Sequence, residues 1–191
     1  MARKQDRRKA SPAAAILTVL VLAALFVWRM LGSPEDGKTQ ITLPNGELHV
    51  WFLDVGQADS SLLVCDGQAM LIDGGNVDDA SYVVASLEQY GVTSLDYVIN
   101  THCDEDHVGG LAGVLAKFPA EHVWSSTAEY GTKAFSNFVK YANEQGRAIE
   151  IPSPGDTFTL GEAEITVLGP LRDYENNNEN SIVLRVDYGE T

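Results

Sequence analysis

The segment 102–107 constrains this chain more than any other feature, because it places four potential metal ligands within six residues. Neutral imidazole nitrogens and carboxylate oxygens are the donors that suit Zn²⁺ or Mn²⁺. The four ligands are His102, Asp104, Asp106 and His107. Their spacing allows a short loop to direct the first two toward one ion and the last two toward a neighbouring ion. The simpler alternative is an acidic surface loop with two unrelated histidines, but the density of donors favours a metal site.

A predicted strand precedes this segment. Residues Leu95–Asn100 are apolar and β-branched, as in a buried strand. The ligands therefore follow the end of a strand, which is where α/β proteins usually hold their functional groups. After the ligands, Gly109 and Gly110 are expected to let the backbone turn tightly into a helix over residues 111–118.

The chain is strongly acidic. Its 191 residues are enough for one sizeable domain, and the formal net charge is −14 at pH 7. Six of the 13 basic residues precede Ser33 together with a single acid, so the rest of the chain has 7 basic and 26 acidic residues, a net charge of −19. A body of this charge repels polyanions, which excludes an ordinary electrostatic DNA-binding protein. The two cysteines are too few for a disulfide framework.

The N-terminal residues predict a membrane anchor. Residues 1–12 form a basic segment that we expect to stay in the cytoplasm, and residues 13–31 form a transmembrane signal-anchor. Residues 13–28 are 16 uncharged residues that span about 24 Å as a helix. Residues 32–46 are polar with Pro and Gly, as in a linker. The chain would then be a single-pass membrane protein with its domain on the extracellular side; the alternative is a cleaved signal peptide and a secreted domain.

The rest of the chain contains predicted strands and helices. Alternating apolar residues between Gly or Pro boundaries predict strands, and apolar stripes at three- and four-residue spacing predict helices. The predicted strands are 47–54, 61–65, 69–72, 95–100, 122–124, 149–151, 157–160, 163–168 and 181–188, and the predicted helices lie between Asp78 and Gly91, over 111–118 and over 133–145. Asp66-Gly67 is predicted to close a hairpin. This order indicates an α/β fold, a sandwich of sheets flanked by helices.

Several short blocks of sequence occur in one order along the chain. They are FLDVGQADS at 52–60, LIDGG at 71–75, THCDEDHVGG at 101–110, VLGP at 167–170 and NENSIVL at 178–184. With these blocks the chain resembles the metallo-β-lactamase superfamily over about residues 48–188, and within it the extracellular domain of ComEC-type DNA-uptake proteins. The general motif of the superfamily is His-x-His-x-Asp-His. Asp104 stands where the second histidine usually stands, a variant that the ComEC-like branch often shows.

The resemblance implies a fold and a ligand set. The fold would be the αββα metallo-β-lactamase-like sandwich. Residues 47–191 would form its N-terminal half to two-thirds, truncated at the C-terminus, because the family continues with another strand, a bridging carboxylate and a later histidine. His102 and Asp104 would hold the first of two divalent ions, Zn or Mn. Asp106 and His107 would hold the second.

Further residues are candidates for the surroundings of these ions. Asp73 would support the ligand loop through hydrogen bonds without binding metal itself. Other residues at strand exits and in loops are candidates for the pocket: Gly74, Asp54, Asp59, Asn180 and Ser181. Hydrogen bonding within a turn is the alternative role for Asp54 and Asp59, and a solvated loop is the alternative for the asparagines.

The resemblance also implies a function. The chain would be a membrane-anchored extracellular hydrolase, first of all a phosphodiesterase or nuclease, in which Asp106 accepts a proton from a metal-activated water. Its substrate would be DNA or a smaller phosphoester, its partner would be the membrane, and no protein partner is indicated. The alternatives are a non-catalytic binding or scaffold domain of the same fold and a carbonyl hydrolase that acts on lactones. The larger family members have many membrane helices where this sequence predicts one, so a role in DNA import does not carry over.

Overall fold

The computed structural model describes residues 43–190 of the chain, which form one compact unit. The predicted basic segment 1–12, the anchor 13–31 and most of the linker 32–46 lie outside the described residues. Within residues 43–190, no helix is both long enough and apolar enough to span a membrane. The anchor therefore stays a prediction.

Five strands form the larger sheet, and they lie side by side in the order in which they follow one another along the chain. They are β1 (Leu48–Phe52), β2 (Ser61–Cys65), β3 (Gln68–Ile72), β4 (Leu95–Asn100) and β5 (Ala120–Ser125). The first three strands are antiparallel, and β3, β4 and β5 are parallel. The predicted turn at Asp66-Gly67 is confirmed, since both residues have the positive φ (51° and 81°) that a tight two-residue hairpin requires.

Three antiparallel strands form the smaller sheet: β6 (Thr157–Leu160), β7 (Ala163–Gly169) and β8 (Val183–Asp187). Because side chains alternate across a strand, every second residue of β7 faces one side. Ala163, Ile165 and Val167 are these residues, and they are buried in one apolar cluster with Met70 and Ile99 of the larger sheet. The two sheets therefore share a core.

Helices supply the second core, on the opposite face of the larger sheet. They are α1 (Ala80–Gln89), the single turn α2 (Glu105–Val108), α3 (Leu111–Lys117) and α4 (Lys133–Glu144). The alternate strand residues Leu62 and Leu71 lie in this core, together with side chains from the helices: Val83, Leu87, Leu111, Phe135 and Phe138. The described residues thus form a helical layer and two sheets, which confirms the predicted α/β class.

The predicted strand 149–151 is wrong. Glu150 makes an isolated parallel bridge to Trp124, and Ile151 is exposed. Pro152 and Pro154 have no backbone N–H, so this segment cannot continue as a strand within a sheet. The other predicted elements begin and end within two residues of the observed bounds, but the ligand segment contains α2 instead of a wholly irregular loop.

Gly109 and Gly110 form the predicted turn into the following helix, but backbone freedom is not the reason for glycine there. Their φ angles are −55° and −79°, which any residue adopts in a helix. A Cβ on Gly110 would instead overlap the carbonyl oxygen of Gly74, and one on Gly109 would overlap the backbone of Val77. Gly110 N also donates to Gly75 O at 3.1 Å. The glycines are needed because the loop after β3 packs backbone against backbone on the junction of α2 and α3.

We expect the change Gly110→Ala to lower the free energy of unfolding by about 1–3 kcal/mol, because the added methyl group must push the two backbones apart. Gly131→Ala is the matched control, since a Cβ there meets no atom within 4 Å. The control should change stability by no more than about 0.5 kcal/mol. Urea unfolding of both variants measures the difference; equal midpoints would show that the close contact does not restrict the sequence.

Candidate active site

Two loops meet at the C-terminal ends of β3 and β4, two parallel strands of the larger sheet. Ile72 at the end of β3 pairs with Ile99 of β4, so the residues that leave both strands are neighbours. Asp73 N donates to Ile99 O at 2.8 Å, and Gly74 N donates to His107 O at 2.7 Å. The strand exits of this edge therefore carry both Asp73 and the predicted ligand segment, as is common for functional groups of α/β proteins.

Asp73 is the buried centre of this junction. The residue is 3% exposed, and its φ of 59° lies in the left-handed region that aspartate tolerates better than most residues. Its carboxylate accepts hydrogen bonds from Thr101 N at 2.8 Å and Thr101 Oγ1 at 2.7 Å, and it lies 2.8 Å from His107 Nδ1. An ionised carboxylate only accepts hydrogen bonds. In the neutral form of His107, Nδ1 therefore carries the proton and Nε2 has the lone pair.

His102 is held in the same tautomer by two hydroxyl groups. Its Nδ1 lies 3.2 Å from Thr101 Oγ1 and 3.3 Å from Ser181 Oγ. Thr101 Oγ1 donates to Asp73, and Ser181 Oγ donates to Asn178 O at 2.7 Å, so at His102 both oxygens can only accept. The proton therefore lies on His102 Nδ1. Its Nε2 has the lone pair, and this buried atom has no hydrogen-bond partner.

Each free imidazole nitrogen lies near a carboxylate oxygen at a distance that suits shared metal ligands. His102 Nε2 is 3.5 Å from Asp104 Oδ2, and His107 Nε2 is 3.6 Å from Asp59 Oδ2. Both distances exceed the usual hydrogen-bond length, but two ligands on one tetrahedral Zn²⁺ are about 3.3 Å apart. The two imidazole rings have centroids 3.9 Å apart. The donors therefore fit divalent ions, although no group of three or more such side chains within residues 43–190 has the geometry of a complete metal site.

Burial favours the neutral form of His102, which is the form that binds a metal ion. Burial is the largest cause that lowers the pKa of His102 below its ordinary value of 6.5, and the charge of His107 acts in the same direction. The charges of Asp73, Asp104 and Asp106 oppose this shift without reversing it. A metal-binding histidine must be neutral, and a lowered pKa keeps His102 neutral at pH 7.

The pKa of His107 shifts in the opposite direction. Burial is again the largest single influence and lowers the pKa, but the hydrogen bond to Asp73 and the charges of Asp73, Asp106 and Asp59 together outweigh it. The net result is a pKa above 6.5. Without a metal ion, His107 is therefore the more basic of the two imidazoles.

Two asparagine side chains hold the carboxylate of Asp104. Asn177 Nδ2 donates to Asp104 Oδ1 at 2.7 Å, and Asn178 Nδ2 donates to Asp104 Oδ2 at 3.2 Å. Both belong to a 3-10 turn, Asn177–Asn180. Asn180, which the sequence predicted as a pocket residue, instead bonds Tyr174 through both its amide atoms, at 2.8 Å each. The asparagine run marked the loop, but the sequence did not show which of its amides face the site.

The remaining predicted residues divide into two groups. Asp106 lies half-buried on α2, where its charge acts on both histidines, whereas the exposed Asp54 accepts a hydrogen bond from Gly56 N in its own turn at 3.4 Å. Successive helical residues project about 100° apart, so Asp106 and His107 do not point the same way from α2. The structure thus brings these predicted residues together at the strand exits: Asp59, Asp73, Gly74, His102, Asp104, Asp106, His107 and Ser181.

Cys103, inside the ligand segment, points away from the site. Its side chain is buried in the core that the helices share with the larger sheet, and both cysteines of the chain are free thiols. Burial raises the pKa of the Cys103 thiol. A thiol binds metal as the thiolate, so Cys103 is not among the candidate ligands.

The sequence from residue 53 to residue 190 matches the family model described as the metallo-beta-lactamase superfamily. The chain belongs to the metallo-β-lactamase superfamily. Members of this superfamily generally bind divalent metal ions, often zinc. The free lone pairs of His102 and His107 and the adjacent carboxylates are a donor set that suits such ions.

The relatives of this metallo-β-lactamase-fold chain include Competence protein ComA of Neisseria gonorrhoeae, which is 33% identical over 59% of the chain and 15% of the relative. The chain is 24% identical to ComE operon protein 3 of Bacillus subtilis (strain 168), over 76% of the chain and 21% of the relative. It is 28% identical to Recombination protein 2 of Haemophilus influenzae, over 72% of the chain and 16% of the relative. The chain thus spans about a fifth or less of the length of these relatives. They confirm the predicted resemblance to the ComEC-like branch of the superfamily.

Solved structures agree with this fold. The subclass B3 metallo-β-lactamase MEM-A1, isolated from a soil metagenome library, superimposes with a TM-score of 0.55 and 17% sequence identity. The match covers 80% of this chain and 60% of MEM-A1. At this identity the comparison concerns the fold alone. It supports the metallo-β-lactamase-like architecture of the described sheets and helices.

In the metal-free superfamily domain, we expect His107 to titrate above pH 6.5 and His102 below it. Because the folded-state pKa of His107 is raised, its protonation stabilises the fold below the unfolded-state pKa, and this contribution is lost as pH rises through the folded-state pKa. Asp73→Asn should lower the pKa of His107, since it removes a charge and a hydrogen-bond acceptor. NMR titration of the imidazole resonances measures both values. Asp78→Asn, at an exposed site, is the control, and an unchanged His107 pKa in the Asp73 variant would contradict the assignment.

The double change Asn177→Ala and Asn178→Ala should weaken Zn²⁺ binding by about 10- to 100-fold, the usual effect of removing groups that orient a metal ligand. The reason is that both donors that fix the carboxylate of Asp104 are lost. Asn143→Ala, on the exposed face of α4, is the matched control. Isothermal titration calorimetry measures the affinity, and urea unfolding checks that the fold is retained. Unchanged affinity in a folded double variant would show that the two amides do not position Asp104.

Proposed function

We propose that this chain is a metal-dependent hydrolase that cleaves phosphodiesters. One observation carries the proposal: His102 and His107 both direct Nδ1 at neighbouring groups, so in the neutral rings both Nε2 lone pairs lie in one site, and that of His102 is buried without a hydrogen-bond partner. Unpaired buried lone pairs are unfavourable unless a donor or cation occupies the site. Membership of a superfamily that generally binds divalent metals supports a cation.

Two pairs of side chains would hold two ions, Zn²⁺ or Mn²⁺. His102 and Asp104 would hold one of them, and His107 and Asp106 would hold the other. When bound at such a site, divalent ions lower the pKa of water and stabilise negative charge on a phosphoryl or carbonyl oxygen. The proposal covers both metals, because histidine and carboxylate ligands suit either ion.

The protein's own groups orient the ligands and move the proton. Asp73 keeps the proton of His107 on Nδ1, and Thr101 and Ser181 do the same for His102. These hydrogen bonds fix both ring orientations before any ion binds, which reduces the cost of assembling the site. The carboxylate of Asp106 accepts the proton that the attacking water releases, since its charge already acts on both imidazoles.

Charge limits the substrate. The site contains four carboxylates, Asp59, Asp73, Asp104 and Asp106, against two imidazoles, and the chain from Ser33 onward has 7 basic against 26 acidic residues. Such a surface attracts cations and repels polyanions. A short phosphodiester fits this charge better than long DNA, which would approach only through bound cations. We therefore propose a phosphodiester of small size first, with DNA as the second substrate.

The place of action is the extracellular face of the cell membrane. The proposal rests on the predicted anchor over residues 13–31 and on the basic segment 1–12, which would remain in the cytoplasm. The membrane is the partner that this proposal includes.

The hydrolase proposal predicts activity that depends on both metal and imidazole. The 191-residue chain should cleave bis-(p-nitrophenyl) phosphate, and more slowly linear DNA, when Zn²⁺ or Mn²⁺ is present. His102→Ala and His107→Ala should each reduce the rate at least about 100-fold, because even groups that only support a metal ligand are worth 10- to 100-fold. His122→Ala is the matched control, since this half-buried histidine bonds Glu150 away from the site. Metal-independent cleavage, or full activity in the His102 variant, would contradict the proposal.

A second candidate function is a non-catalytic binding or scaffold domain with the same fold. It is favoured by the lack of any group of three metal-holding side chains within residues 43–190. Metal content separates the two functions, because a domain that binds less than one equivalent of Zn²⁺ or Mn²⁺ cannot be the proposed hydrolase. A lactone substrate in the same assay tests carbonyl hydrolysis, for which the same ligands would serve.

A further inference from the structure

The loop between β1 and β2 is tied to both loops of the candidate site. Asp59 N donates to Asp106 O at 3.1 Å, and Gly75 N donates to Asp59 O at 2.9 Å. The next residue, Ser60, donates its hydroxyl to Asp73 O at 3.0 Å. Both backbone groups of Asp59 are therefore fixed, one on the ligand segment and one on the loop after β3.

This anchoring directs the carboxylate of Asp59 at His107. Asp59 Oδ2 lies 3.6 Å from His107 Nε2, although the Asp59 side chain is 75% exposed and could extend into water. His107 donates its Nδ1 proton to Asp73, so in its neutral form it presents a lone pair to an anionic oxygen. Two acceptors that face each other repel unless a proton or a cation lies between them.

The Nε2 atom of His102 also indicates that the space beside His107 suits a cation. His102 Nε2 is buried without a hydrogen-bond partner, and its side chain is 4% exposed. The rings of His102 and His107 lie 3.9 Å apart, so the unpartnered nitrogen belongs to the same site as Asp59. An exposed acidic side chain alone would not define a site, but here it shares the site with a buried unpaired imidazole.

We propose that Asp59 is a ligand of the divalent cation that His107 binds, which rests on the proposed metal-dependent function of this site. Its oxygen lies at the spacing of two ligands on one ion, about 3.3 Å for tetrahedral Zn²⁺. Asp106 and His107 project about 100° apart from α2, so a carboxylate from another loop is better placed beside His107 Nε2. On this assignment Asp59 replaces Asp106 as the carboxylate ligand beside His107, and Asp106 keeps only its role as proton acceptor. The β1–β2 loop becomes part of the metal site.

The test is cation binding by the full 191-residue chain. Wild type, Asp59→Asn, His107→Ala and the control Asp78→Asn are titrated with Zn²⁺ by calorimetry and with Co²⁺ by visible absorption, which changes with the ligands of the ion. Asp59→Asn should weaken Zn²⁺ binding by about 10- to 100-fold and alter the Co²⁺ spectrum. Asp78→Asn, which removes an exposed charge outside the site, should do neither. The loss should persist at high ionic strength, since salt screens a distant charge but not a bound ligand.

The outcomes separate the two proposals. If His107→Ala weakens binding while Asp59→Asn behaves like Asp78→Asn, the metal site stands and the role of Asp59 is overturned. A loss in Asp59→Asn that disappears at high salt also overturns it, because the charge would then act only at a distance. If His107→Ala binds Zn²⁺ as tightly as wild type, the proposed function itself fails, and the role of Asp59 fails with it.

Discussion

The buried carboxylate of Asp73 is the interaction on which the rest of the site depends. A charge in the protein interior is unfavourable unless it is paired and hydrogen-bonded. Asp73 satisfies this condition with the amide and hydroxyl of Thr101 and the ring of His107, so it joins the end of β3, the end of β4 and helix α2. Its left-handed backbone conformation turns the carboxylate into this junction. An asparagine here would replace the oxygen that accepts from Thr101 Oγ1 and His107 Nδ1 with a donor group.

Backbone packing sets the second constraint. The loop after β3 approaches the junction of α2 and α3 so closely that Gly74, Gly109 and Gly110 have no room for side chains. The resulting hydrogen bonds, Gly74 N to His107 O and Gly110 N to Gly75 O, fix the helix that carries His107. The orientation of the His107 imidazole therefore depends on glycines, which have no side-chain functional group. Rigid support of this kind is what metal and catalytic sites require.

Local patterns in the sequence were sufficient to predict most of the fold. Short apolar runs defined β2 and β4 to the residue, alternation defined β6, and the Asp66-Gly67 pair specified its hairpin, because these features depend on neighbours in the chain. The strand prediction for residues 149–151 was wrong because two isoleucines at strand spacing do not show whether the segment has a strand to pair with. The glycine pair was placed correctly but explained wrongly, since its reason is a contact with a distant loop.

Most residues of the site could be predicted from the sequence, including Asp59, Gly74 and Ser181 on separate loops, but the contacts between these loops could not. The four donors of segment 102–107 could be recognised directly in the sequence. The supporting role of Asp73 was implied by the resemblance to a known family. The roles of Asn177, Asn178 and Asp59 depend on where separate loops meet in three dimensions. Periodicity and propensity do not show such contacts, so the sequence prediction named Asn180 and not its neighbours, and it placed Asp59 in the pocket without assigning it a partner.

The hydroxyl of Thr101 has one more consequence. It stands between Asp73 and His102, giving its proton to the acid and receiving one from the ring, while the same acid holds His107 directly. One anion thereby dictates the electronic state of both imidazoles, which form a single linked unit. A substitution of Asp73 therefore cannot change the state of one of the two imidazoles without also changing the other.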